Sequence, residues 1–436
     1  MEYDNEENTW RRPSAQKVDR SKCNQIPKRS TTVAVVVLGL AVMSCLLGYC
    51  FFRHGARTPN TSYKTDPFKA YQWPEGLGGL TNTGKLQLYE LGKKYRSYYA
   101  NFIDEEYYEK DVQVRSSDKS RCLMSAATFL AGLYPPAERQ IWNPELLWQP
   151  IPIHSLPTHL DNVIDDLCLF QIVASTKPCK VWKAMYEELL EKSNKDAKYT
   201  KLFEYLSNHT AQDMHSVLEV DFLYSTFLSQ QEAGLKIPEW TKNYFPNQMR
   251  SAFMQSLALL SHNHTLQRFK VGPLLSEMRE NLEKCVSYSG EGPSPRSLLV
   301  YSGHDVNVVA LWRALNYTED LEPEYGASLV FELHEELDQG FFIKVFYRNN
   351  TKIEVPMELK LSFCEEPCRY TDFLQYIDTL IPKDWDAELS TNYFDRGAIA
   401  KLRALATDYM EFGTFRGLYC RIRSRHTVRQ VTTKIQ

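Results

Sequence analysis

The sequence predicts an α/β domain, with a mostly parallel central sheet flanked by helices and a smaller, mainly helical cap domain beside it. Three observations predict it. Short apolar runs, one ending at Phe52 and another spanning Ser297–Ser302, each stop at a glycine- and histidine-bearing turn. Segments of helical spacing follow them. The stretch from about Pro157 to Met278 is almost wholly amphipathic helix with loops, which reads as an insertion into the sheet domain.

The elements follow in order. Residues 1–30 are polar and charged, with Pro13 and Pro27, and read as a disordered tail. Lys28 and Arg29 then precede an apolar run from Thr31 to Phe52. Basic residues before the run and few after it predict a cytosolic N-terminus and a lumenal or extracellular remainder. A signal anchor and an internal signal peptide both fit. Thr81–Tyr99 reads as a helix capped by Asn82 or Thr83, with Leu88, Leu91 and Tyr95 on one face. Gln113–Arg115 reads as a strand end. Ser117 or Asp118 is the expected cap of a second helix, which Pro135 and Pro136 stop. After the strand at Ser297–Ser302, Val308–Leu315 has helical spacing. Leu329–His334 and Phe341–Tyr347 read as paired strands around Asp338-Gln339-Gly340. The expected organisation is therefore a sheet domain over 53–156 and 279–400, a helical cap over 157–278, and a C-terminal helix and basic tail over 401–436. Arg416, Arg421, Arg423, Arg425 and Arg429 make that tail basic.

Composition narrows the class. Of 436 residues, 43% are apolar and 24% charged, and the net charge of −3 is nearly balanced. That is ordinary globular usage, and no global nucleic-acid binder is indicated. Ten cysteines suit a large domain with a few bridges. Sequons stand at Asn60, Asn208, Asn263, Asn316 and Asn349. With the apolar N-terminal run they favour the secretory route, to a membrane-associated or secreted protein; the last four are the glycosylation candidates.

Three motifs carry chemistry. Arg53-His54-Gly55-Ala56-Arg57-Thr58-Pro59 follows an apolar stretch directly. Ligands of α/β sheets bind at strand ends, arginine forks suit phosphate oxygens, and a glycine lets backbone approach a ligand. From average residue usage, R-H-G-x-R-x-P occurs by chance in about one chain in ten thousand of this length. The second motif, Tyr301-Ser302-Gly303-His304-Asp305, places another imidazole and a carboxyl at a strand end. The third, Arg115-Ser116-Ser117-Asp118-Lys119-Ser120-Arg121, puts Arg121 in the first turn of a helix, where anions are attracted.

In this order the three motifs resemble the histidine acid phosphatase family. The spacing is similar to that of vertebrate prostatic and lysosomal acid phosphatases and of insect venom acid phosphatases. The likeness runs from about Phe52 to about Asp386 and includes Thr65-Asp66-Pro67, Leu133-Tyr134-Pro135-Pro136, Trp148-Gln149-Pro150-Ile151-Pro152, Gly272-Pro273-Leu274-Leu275 and Ile381-Pro382-Lys383-Asp384-Trp385. It implies a phosphoglycerate-mutase-like core and hydrolysis of small phosphomonoesters or phosphoproteins through a phosphohistidine. His54 would be the nucleophile and Asp305 the proton donor, with Arg53, Arg57, Arg121 and His304 holding the phosphate oxygens. No metal or other cofactor is implied, because the arginines supply the positive charge. A homodimer and an acidic pH optimum are also implied, and lysosomal delivery is one destination.

Alternatives and departures are specific. Phytases share the first motif but often carry a glutamate two places after the second histidine, where this chain has His304-Asp305-Val306. A non-catalytic binding protein is opposed by the presence of all six expected site residues. His262-x-His264 lacks a nearby cysteine or carboxylate to complete a metal site. The resemblance implies a Cys364–Cys368 disulfide and leaves the pairing of Cys168, Cys179, Cys285 and Cys420 open. The family's central strand precedes its Arg-His-Gly motif, whereas here that strand and the targeting segment are fused over 31–52. Val33–Phe52 is about long enough to span a bilayer, but cannot also donate a strand. The expectation is membrane association through a segment that overlaps the first strand.

Overall fold

The structure, a computed structural model, describes residues 44–158, 160–161, 180–289, 296–336 and 339–389. The tails at 1–43 and 390–436, with Cys168, Cys179 and Cys420, lie outside the described residues, as does Asp338.

The sheet is built around β1 (Ser44–Arg53). Its near-continuous apolar run is what a strand buried on both faces requires. Leu47, Tyr49 and Phe51 point into one cluster, and Cys50 and Phe52 into another on the opposite face. β1 pairs in parallel with β3 (Leu298–Gly303) and antiparallel with β4 (Ser328–Glu336). Ser44–Phe52 therefore belong to the sheet. The expected anchor cannot extend over them, since ladder pairing on both sides excludes a bilayer environment for the same residues.

The strand order is β2-β3-β1-β4-β5-β6, with β2 at Val112–Ser116, β5 at Gly340–Arg348 and β6 at Met357–Glu358; β7 (Cys368–Arg369) also pairs with β5. Only β2-β3-β1 is parallel. Every pairing from β4 onward is antiparallel, so the sheet is mixed rather than mostly parallel. The reason is the β4–β5 hairpin, which docks its first strand directly against β1. The two strands pair with each other as expected.

Helices α1 (Asn82–Tyr98) and α2 (Ser120–Leu133) cover one face. The cap of α1 is Thr81, one or two residues before the expected Asn82 or Thr83, and its Oγ1 accepts from the Gly84 amide at 3.1 Å. The N-cap residue of α2 is Lys119, whose side chain makes no capping hydrogen bond. The middle of the chain is helical as expected: α3 (Lys180–Asn194), α4 (Ala197–Thr210), α5 (Val217–Glu232), α6 (Asn247–Leu259) and α7 (His264–Val286). They enclose their own apolar cluster. The expected boundary at residue 278 falls inside α7, whose Leu266 and Phe269 join the helical cluster while Leu274, Met278 and Leu282 pack on the sheet. One helix thus serves both parts. α8 (Asp305–Ala314) follows β3, starting three residues before the expected position, and α9 (Tyr370–Asp378) and α10 (Trp385–Leu389) close the described chain.

Cys364 and Cys368 are disulfide-bonded, as the resemblance implies. Asn208 and Asn316 are exposed; Asn263 and Asn349 are half-buried, the former capping α7. Among the described residues no helix is long and apolar enough to cross a membrane.

Candidate active site

The parallel strands β1, β3 and β2 bring all three motifs to one edge of the sheet. His54 directly follows β1, His304 and Asp305 follow β3, and Arg121 lies in the first turn of α2, after β2. The His54 amide donates to the Gly303 carbonyl at 3.0 Å, and the Gly326 amide to the His54 carbonyl at 3.3 Å. The backbone of the turn is thereby fixed between two other loops.

Gly55 also packs closely against the start of α1. A Cβ there would lie 2.3 Å from the carbonyl oxygen of Gly84, and one on Gly84 would lie 2.2 Å from that of Ala56. The two glycines let the turn after β1 press against the start of α1. The Ala56 carbonyl accepts from both the amide (2.9 Å) and the hydroxyl (3.0 Å) of Thr81, and the Gly55 amide donates to Ser125 Oγ at 3.2 Å.

His54 is buried. Its Nδ1 lies 2.8 Å from the Gly55 carbonyl oxygen, which can only accept. The proton therefore belongs on Nδ1, leaving a lone pair on Nε2. Burial, and then the charges of Arg121, Arg53, His304 and Arg57, hold the imidazole well below its ordinary pKa. An unprotonated Nε2 is thereby favoured.

Arg53 is the most constrained of the cations. Its Nη2 pairs with Asp305 Oδ2 at 2.8 Å, its Nη1 donates to the Pro323 carbonyl at 2.5 Å, and its guanidinium stacks 4.4 Å over the Tyr325 ring. The Nε atoms of Arg53, Arg57 and Arg121 are all buried without a hydrogen-bond partner. Buried donors left unpaired each cost on the order of 1–3 kcal/mol, and three guanidinium groups doing so in one place fit an oxyanion site. His304 sits edge-on to His54, ring centroids 5.6 Å apart, with its Nε2 3.0 Å from Ser117 Oγ. Asp305 opens α8. Burial pushes its carboxyl up, but Arg53, His304 and Arg57, with the Val306 amide, outweigh that and hold it below the usual carboxylate range. All six residues singled out in the sequence converge here.

The model of the histidine phosphatase superfamily (branch 2) matches residues 50–348, from within β1 to the end of β5. The chain belongs to the histidine acid phosphatase family. Lysosomal acid phosphatase of Rattus norvegicus is 34% identical over 344 residues, covering 77% of this chain and 78% of that one. Prostatic acid phosphatase of Homo sapiens is 32% identical over 349 residues, covering 79% and 88%. Among solved structures, the apo phytase of Hafnia alvei has a TM-score of 0.58 at 16% identity, covering 78% of this chain and 97% of that one. At that identity the phytase supports the family fold alone.

Some residues at this edge of the sheet escaped the sequence reading. Tyr325, stacked on Arg53 with its ring centroid 5.9 Å from that of His54, lies in a loop without a motif. Ser117 reads as a helix cap but is turned towards His304. Cys122 is buried with its Sγ 3.7 Å from His304 Nε2. Asp221, on α5, is within electrostatic range of Asp305 and Arg57. Only Ser117 had a sequence signal, and that signal pointed to a different partner.

Proposed function

We propose that the protein is an acid phosphatase that hydrolyses phosphate monoesters to alcohol and inorganic phosphate. The observation that carries this reading is the deprotonated His54 Nε2 beside three guanidinium groups with unpartnered donors. Arg53, Arg57, Arg121 and His304 bind the non-bridging oxygens, whose charge redistributes in the transition state. Nε2 attacks phosphorus and forms a phosphohistidine. Asp305 gives its proton to the leaving oxygen and then takes one from the water that releases phosphate. In the free enzyme Asp305 is held ionised by Arg53, so it must gain a proton as the negatively charged ester enters, which acidic medium favours. His54 stays neutral in the same medium. The optimum is therefore on the acidic side of neutrality.

Simple phosphomonoesters or phosphoproteins are the favoured substrates. His304-Asp305-Val306 and the identity to acid phosphatases support this over an inositol polyphosphate. The thirteen residues 31–43 left ahead of β1 fit a targeting core of about 7–15 residues better than a span of about 20. Through them the domain enters the secretory route, to be held at a membrane or released, with the lysosome as one destination. A homodimer is supported by the exposed Ile141, Trp142, Leu146 and Leu147, and sedimentation of the purified chain tests it.

The test of function is hydrolysis of an aryl phosphate from pH 4 to 8 by chain made in a secretory host, beside His54→Ala. Acid-peaking activity that vanishes in the variant, with a phosphoenzyme trapped only in the wild type, is the expected result. Folded wild-type protein without activity, or a peak at pH 8 or above, contradicts the reading.

A further inference from the structure

Asn60 directly follows the first motif, and Asn60-Thr61-Ser62 is the one sequon left out of the glycosylation candidates. Asn60 is exposed, as a modified asparagine must be. The chain around it is tied down on both sides. On one side Arg57 bridges to Leu80, the Thr58 amide donates to the Gly79 carbonyl at 2.9 Å, and the Gly78 amide donates to the Pro59 carbonyl at 2.8 Å. On the other, the Thr226 hydroxyl on α5 donates to the Thr61 carbonyl at 3.3 Å. Ser62 Oγ donates to Asp66 Oδ2 at 2.7 Å, and the Gln230 amide group on α5 donates to Asp66 Oδ1 at 3.1 Å.

Asn60 also borders the arginines of the site. A Cβ on Gly78, whose φ is +69°, would lie 2.9 Å from Asn60 Oδ1 and 3.9 Å from Arg121 Nη1. The Asn60 and Arg121 side chains therefore edge a common space the size of one methyl group. Arg57 precedes Asn60 in the same strapped segment, and both arginines have a buried Nε without a partner. Beyond Asn60, Thr61 lines a cavity of about 180 Å³ with Met214, Phe222 and Thr226, so the surface beside the asparagine is concave rather than closed by chain. A group attached to Asn60 is thus rooted beside Arg121, on a segment that cannot swing away.

We propose that Asn60 carries an N-linked glycan that stands at the rim of the phosphate site, admits small phosphate monoesters and holds phosphoproteins away. This rests on the reading of the chain as a phosphomonoesterase of the secretory route. The donor is a lipid-linked oligosaccharide diphosphate. A bond forms between Asn60 Nδ2 and the anomeric carbon of the first sugar, the bond from that carbon to the diphosphate oxygen breaks, and the amide gives up one proton as the lipid diphosphate leaves. Transfer takes place as the chain enters the secretory route, before Ser62 is engaged by Asp66. A phosphoprotein must lay its own surface against the rim to bring its phosphoryl group to His54, so a glycan rooted there excludes it by volume. A small ester passes, and the charges around His54 are unchanged.

The test uses the full chain made in a secretory host. Peptide mapping before and after an amidase that releases N-glycans and leaves aspartate reads the occupancy of each sequon. The ratio of kcat/KM on ovalbumin, a folded phosphoprotein, to that on 4-nitrophenyl phosphate reads the filter. Asn60 should be occupied, and Asn60→Gln should raise the protein-to-aryl ratio severalfold while leaving kcat on the aryl ester unchanged. Ser62→Thr keeps the sequon and should keep the wild-type ratio. Should Asn60→Gln not fold, enzymatic deglycosylation of the native wild type makes the same comparison. A bare Asn60 beside an occupied Asn208, or an occupied Asn60 whose removal leaves the ratio unchanged, overturns the proposal and leaves the phosphatase reading standing. If every sequon is bare, the secretory reading falls with it; if folded wild type does not hydrolyse the aryl ester, the phosphatase reading falls with it.

Discussion

Arg53→Gln is the perturbation that the geometry constrains most tightly. The guanidinium and the Asp305 carboxylate are 2.8 Å apart, with side chains 6% and 18% exposed. At an effective dielectric of about 20 their attraction is about 6 kcal/mol before desolvation. Glutamine keeps much of the length but carries no charge. Loss of one donor to the developing oxyanion charge should lower kcat on an aryl ester by on the order of 10²–10³, or about 2.7–4 kcal/mol. The more discriminating consequence is the pH profile of kcat, which reports the groups of the enzyme with ester bound, where Asp305 has gained its proton. The acid limb is protonation of His54, and Arg53 is one of the charges that depress it, after burial and Arg121. The alkaline limb is loss of the proton from Asp305, where Arg53 is the largest charge opposing the upward push of burial. Removing it lets both groups rise, so the whole bell should move to higher pH while its height falls. Steady-state rates from pH 4 to 8.5 on folded variant decide the matter. A bell that keeps its position, or moves to lower pH, refutes the assignment of these limbs even if the height falls as expected.

Three further substitutions bear on separate parts of the argument. Arg121→Met should weaken inorganic phosphate as a competitive inhibitor by on the order of ten- to a hundredfold, the value of a charged hydrogen bond of about 1.5–3 kcal/mol; an unchanged inhibition constant would place Arg121 outside the phosphate site. Gly55→Ala should cost about 1–3 kcal/mol in urea unfolding, because its Cβ would lie 2.3 Å from the Gly84 carbonyl oxygen; wild-type stability would show that the turn and α1 can separate freely. His54→Asn should gain stability relative to wild type as pH falls from 7 to 5. The unfolded imidazole takes a proton below about 6.5 while the buried one resists it, so wild type loses stability over that interval; a stability gap that does not change with pH contradicts a neutral His54.

The legible part of this protein was its local chemistry. Arg53, His54, Arg57, His304 and Asp305 were found because parallel strands deliver their following residues to one edge, so motifs placed after apolar runs must meet. Arg121 followed from the same logic through the start of a helix. Partner choice was less legible. β4 and β5 have a clear hairpin pattern, but nothing in that pattern says that β4 lies against β1, which makes the sheet mixed. The strands β6 and β7 have two residues each and no periodicity to detect. Ser117 shows how one side chain can satisfy either of two rules. A serine ahead of a helix is a fair cap, but the imidazole 3.0 Å away takes its hydroxyl instead. Tyr325 reaches the site only from a loop far along the chain.

The conflict over the N-terminal apolar run is decided by what β1 does in the sheet. A span through lipid must satisfy its backbone within itself, as a helix or a closed barrel. β1 instead pairs on both edges, from Gly48 to Arg53 with β3 and from Ser44 to Phe52 with β4. Its side chains alternate between two separate cores, Tyr49 and Phe51 to one and Cys50 and Phe52 to the other. Withdrawing these residues into a bilayer would open both cores and separate β3 from β4. It would also displace His54, whose amide is held by Gly303 and whose position depends on the end of β1. The turn that holds His54 and a membrane span therefore cannot both claim the last residues of the run. The position of His54 requires that the sheet keep them.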